Sequence, residues 1–116
     1  MGEKKDDYHD LLDQTRFLGE IEQGVRLANR EIIQAAIPDL TKDAILTLAV
    51  VVGRLRARYL KVAFGLSVNE EGEIPNTADI AEVRKRRENF EEARDAFEAL
   101  RHAIEKGYTN VRDSAD

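Results

Sequence analysis

Two prolines, Pro38 and Pro75, are the only ones in a chain of 116 residues, and each falls where a sustained helical periodicity stops. A proline inside a helix removes a backbone hydrogen bond and clashes with the preceding turn. The chain is therefore cut into three segments, each to be read for its own period.

In the first segment Leu11, Leu18, Val25 and Ile32 fall seven apart, and Ile21, Ala28 and Ala35 supply a second row three residues on. That heptad predicts an amphipathic helix over residues 6–37, about 48 Å long at 1.5 Å per residue. Gly19 and Gly24 lie inside it. Each disfavours the helix by roughly 1 kcal/mol against alanine, which reads as a close helix contact or a kink.

Asp39 and Thr41 are two candidate N-caps for a second helix over residues 42–64, with Gly65 as its expected C′ residue. Its heptad is Ile45, Leu48, Val52, Leu55, Tyr59 and Val62. A second apolar row, Leu46, Val50, Gly53, Ala57, Leu60 and Phe64, runs along another face. Residues 66–76 break the pattern, and Val68 and Ile74 bracket a short hairpin with Gly72 at positive φ. Asn76 or Thr77 then caps a third helix over residues 77–106, with Asp79 in its first turn. Val83, Phe90, Phe97 and Ile104, joined by Ala93 and Leu100, form its inner row, and Gly107 ends it.

Three long helices joined by short links predict an all-α fold, an antiparallel three-helix bundle forming one domain over residues 1–116. Residues 1–5 and 108–116 are expected to fray at its ends. The second row on the middle helix exceeds what three helices cover, so completion by dimerisation is expected through Leu46, Val50, Val51 and Gly53.

Composition narrows the chemistry. With no cysteine, disulfides, thiolate metal sites and thiol catalysis are excluded together. The N-terminal residues lack the apolar core of a signal peptide. The longest uncharged run, Ala44 to Gly53, is too short to span a bilayer. A cytoplasmic protein with no membrane association is expected.

No residue pattern calls for a cofactor. His102 follows Glu98 by four positions, where carboxylate-bridged metal bundles need a three-residue Glu–His spacing on two helices. Glu88, Glu91, Glu92 and Asp95 offer carboxylates to magnesium, yet they alternate with Arg87, Arg94 and Arg101 on one helix, the pattern of a salt-bridged solvated face. A small all-α metal-dependent hydrolase is accordingly the third reading, and the chain leans away from being an enzyme.

The cations are more concentrated. Arg54, Arg56, Arg58 and Lys61 occupy the second half of helix two, and Arg84, Lys85, Arg86 and Arg87 the first half of helix three. An antiparallel hairpin brings these eight to one level. That is an anion patch in a protein of net charge −5, with Asp10, Asp13, Glu20 and Glu22 of helix one expected to pass the same level, and Asp79 and Glu82 close by, to neutralise most of it. Base-stacking aromatics are missing from the patch, so nucleic acid ranks second as a partner. The leading expectation is a non-enzymatic helical interaction protein, a regulator or adaptor that self-associates or docks on a helical protein.

Overall fold

The computed structural model describes residues 2–67 and 73–113, with side chains from residue 6 onward. It is all-α: α1 (Gly2–Ala36), α2 (Lys42–Gly65) and α3 (Thr77–Glu105). The helix ends at both prolines agree with the expected boundaries to within a residue. The turn expected at Gly72 lies outside the described residues. Two compact units are present, Met1–Pro38 with Ala103–Asn110, and Asp39–His102 with Val111–Asp116.

In the second unit α2 and α3 pack together, and the expected heptads supply the contact. Ile45, Leu48, Leu55, Tyr59 and Val62 are half-buried and Val52 is buried. On α3, Val83, Ala93, Phe97 and Leu100 are half-buried and Phe90 is buried. The Tyr59 ring stacks on Phe90, with centroids 6.1 Å apart and planes 22° from parallel. The guanidinium groups of Arg56 and Arg94 stand over the Phe90 ring at 5.0 and 5.5 Å. Phe90 is thus covered by one aromatic and two cationic side chains, a cation–π arrangement whose cations remain exposed.

The helix ends follow from their capping residues. Thr41, extended at φ −113°, ψ 162°, accepts a hydrogen bond from the Ala44 amide and is the N-cap of α2. Asn76 Oδ1 accepts from the Asp79 amide at 2.8 Å and caps α3. Gly107, at φ +74°, is the sole described residue with positive φ. It donates to the Ile104 carbonyl while Tyr108 donates to Ala103, a Schellman closure that needs a residue without Cβ. Gly65 does not play that part. It lies within α2, whose cap is right-handed Leu66.

Two further expectations are corrected. Gly19 and Gly24 are not close helix contacts, since a Cβ at either would meet no atom within 4 Å. The tail does not fray before Asp113. The Arg112 amide donates to the Leu40 carbonyl and its own carbonyl accepts from Lys42, so that Thr41 and Arg112 form a short parallel bridge. Arg112 also pairs with Asp39, and Asp113 with Lys42. Leu40 and Thr41 are buried as a result. Their burial predicts that Thr41→Ala will lower stability by about 1–2 kcal/mol, the upper part of the usual N-cap range, in a chemical denaturation measurement.

In the first unit the turn after α3 meets α1. Arg26 Nε donates to the Lys106 carbonyl at 3.2 Å, its Nη1 donates to Gln23 Oε1 at 2.7 Å, and its Cδ would lie 3.3 Å from a Cβ at Gly107. Ile21, Val25 and Tyr108 line a shallow depression there. The heptad row that the periodicity assigns to a bundle interior, Leu11, Leu18, Ile21, Val25 and Ile32, is exposed along its length.

Candidate functional site

The site is built on α2, whose two apolar rows have different fates. One is spent on α3. The other remains in solvent: Leu46 is 63% exposed, Val50 51%, Leu60 56% and Phe64 73%, with Ala57 exposed and Gly53 half-buried between them. Of the expected contact face, Leu46, Val50 and Val51 are exposed and adjoin, lining a shallow concavity with Asp43, Thr47 and Arg54. A Cβ at Gly53 would meet no atom of the described residues within 4 Å.

The eight cations divide by helix. On α3, Arg84 pairs with Glu88 at 2.9 Å, Arg86 with Glu82 at 2.7 Å and Arg87 with Glu91 at 3.8 Å. All are four-residue pairs on one helix, each worth about 0.3–0.5 kcal/mol. Neutralisation of this half therefore comes from the helix's own glutamates. Asp10, Asp13, Glu20 and Glu22, expected to supply it, make no ion pair among the described residues. On α2, Arg54, Arg56, Arg58 and Lys61 likewise have no carboxylate partner there, and neither has Lys85 of α3. Arg56 is held over Phe90 instead.

The structure brings Arg58 and Lys61 together with Arg86 and Val62 around an open concavity of about 400 Å³. It does not bring Arg84, Lys85 or Arg87 to that place. Lys61 and Val62 also border a neighbouring depression lined by Gly65, Leu66, Pro75, Asp79 and Glu82. Its two carboxylates temper the positive field at the α2–α3 turn.

Four carboxylates of α3 are likewise occupied, Glu88 and Glu91 by the arginines just named, Asp95 by Arg94, and Glu98 by Arg101, while Glu92 makes no ion pair among the described residues. Among the described residues no three His, Asp or Glu side chains converge as a metal site would require, and no helix is long and apolar enough to cross a membrane. His9 stands edge-on to Tyr8, with centroids 6.1 Å apart.

No family model matches this chain, and neither does any curated protein or solved structure. The described surface presents exposed apolar side chains and cations. The cation–π packing of Arg56 and Arg94 on Phe90 was missed in the sequence. The four-residue spacing of Phe90 and Arg94 was its one visible signal, since such neighbours share a helix face.

Proposed function

We propose that this protein is a non-enzymatic helical interaction module, a regulator or adaptor that works by self-association in the cytoplasm. The observation that carries the reading is the second row of α2, Leu46 to Phe64, left in solvent on a helix whose other row is already buried against α3. The exposed row of α1 supports it. Contiguous apolar surface of this extent marks an interaction site. Light scattering at 10–100 µM, roughly the range in which modest interfaces associate, should give a mass of at least twice 13.1 kDa. A monomer throughout would refute the reading.

A second reading, anion binding, is favoured by the α2 cations that lack carboxylate partners. Replacing Arg54, Arg58 and Lys61 together with Gln should then abolish retention on heparin at low salt, where screening is weakest. The corresponding change of Arg84, Lys85 and Arg87 should weaken it only in part, because two of those three are paired on their own helix. Neither set should move the melting temperature by more than a few degrees, since exposed charges contribute about 0–1 kcal/mol each. Failure of the unmodified protein to bind heparin would dismiss the reading.

A further inference from the structure

We infer that the exposed row of α2 is a self-complementary seam, which pairs antiparallel with the same row of a second copy about a two-fold axis level with Leu55. The inference rests on the self-association reading and specifies its geometry.

The argument starts from spacing. Leu46, Val50, Gly53, Ala57, Leu60 and Phe64 are separated by four, three, four, three and four residues, so the row reads the same in both directions about its centre. Turned end for end on a copy of itself, it sets Leu46 against the partner's Phe64, Val50 against the partner's Leu60, and Gly53 against the partner's Ala57. Small residues meet in the middle, where two helices cross most closely, and large ones meet at the ends. The empty space around Gly53 is thereby given a use, as the place where a second backbone approaches.

Charge selects the direction. Every cation of α2 beyond Lys42 lies from Arg54 onward, while residues 44–53 carry no charge at all. A parallel pair would hold Arg54, Arg56, Arg58 and Lys61 each at the level of its own duplicate. The antiparallel pair moves Arg58 and Lys61 to the level of the partner's uncharged half and leaves only Arg54 and Arg56 near the axis. Arg56 is already drawn onto Phe90. Like charges near the axis are a modest penalty that salt relieves, so association should strengthen slightly as ionic strength rises. A pairing of these cations with the acidic half of α1 would weaken instead.

Area sets the class of interface. Leu46, Val50, Leu60 and Phe64 are half to three-quarters exposed, so a seam built on them lies near the lower bound of about 1,000 Å² for a specific interface. That is the size of a transient dimer rather than an obligate one.

The chain has no cysteine, which makes the geometry testable by disulfide trapping in the full-length protein. Val50→Cys and Leu60→Cys are prepared as separate proteins and oxidised alone and as a mixture. In the antiparallel seam each residue stands about 15 Å along the axis from its own duplicate, beyond disulfide reach. The single variants should therefore stay uncross-linked while the mixture yields a covalent species of twice 13.1 kDa. Trapping of Val50→Cys with itself, and not with Leu60→Cys, would overturn the inference in favour of a parallel pair. A dimer by light scattering that neither arrangement traps, or that dissociates as salt rises, would place the contact elsewhere and overturn it too. In both cases self-association would survive. A monomeric parent protein would refute both together.

Discussion

Phe90→Ala should lower the stability of the fold by about 3–5 kcal/mol, the usual loss for a buried phenylalanine and much of the 5–15 kcal/mol that a domain has. Phe90 is only 9% exposed, and removing it unseats three groups at once. The Tyr59 ring loses its stacking partner, and Arg56 and Arg94 lose the face over which they stand. Phe97→Ala is the control, since Phe97 lies on the same row but is half-buried and should cost about half as much. Urea denaturation of both variants decides it. Equal losses would mean that the α2–α3 contact is not centred on Phe90.

The second large effect is on association, with folding left intact. Leu46→Glu or Val50→Glu should weaken self-association by at least 100-fold, about 2.7 kcal/mol, because a carboxylate at the seam must be desolvated without a partner. In the isolated chain both side chains face water, so helicity and melting of the dilute protein should be nearly unchanged. Sedimentation velocity across 1–100 µM, roughly the span where such an interface titrates, separates the two properties. A variant that still associates like the parent would exclude this face.

The two mutants bracket what could be read from residues alone. The phase of α2 and α3 was legible because Val52 and Phe90 sit in sustained heptads, and both are buried. Three of the four ends of α2 and α3 were legible because capping has few chemical solutions: Thr41 and Asn76 were each one of two candidates, and Gly107 had the type its place requires. The fate of α1 was not. Its heptad states which face wants cover, and periodicity cannot state what covers it: Leu11, Leu18 and Ile32 are exposed. Gly65 was misplaced because a glycine near a helix end permits a left-handed turn without compelling one.

The candidate site divides in the same way. That α2 has more apolar surface than α3 covers was visible in the row from Leu46 to Phe64. Which cations are already neutralised was hidden, because Arg84, Arg86 and Arg87 had carboxylates within reach on their own helix as well as those expected from α1. The nearer ones took them, since a neighbour four residues away costs almost no ordering.

The bridge between Thr41 and Arg112 has a kinetic consequence. It joins the residues that flank the whole α2–α3 hairpin, so closing it from a disordered chain would carry a large loop-closure entropy. Once the hairpin has formed, its two ends are already neighbours and the bridge closes at little cost. It should therefore form late on the folding route, and Arg112→Pro, which removes the amide that donates to Leu40, should speed unfolding while leaving the folding rate nearly unchanged in stopped-flow measurements. Interactions made that late leave the folding rate alone and act on the rate of escape from the native state. The two hydrogen bonds of Arg112 to Leu40 and Lys42 thus act as a latch, setting how long the hairpin stays shut rather than how fast it assembles.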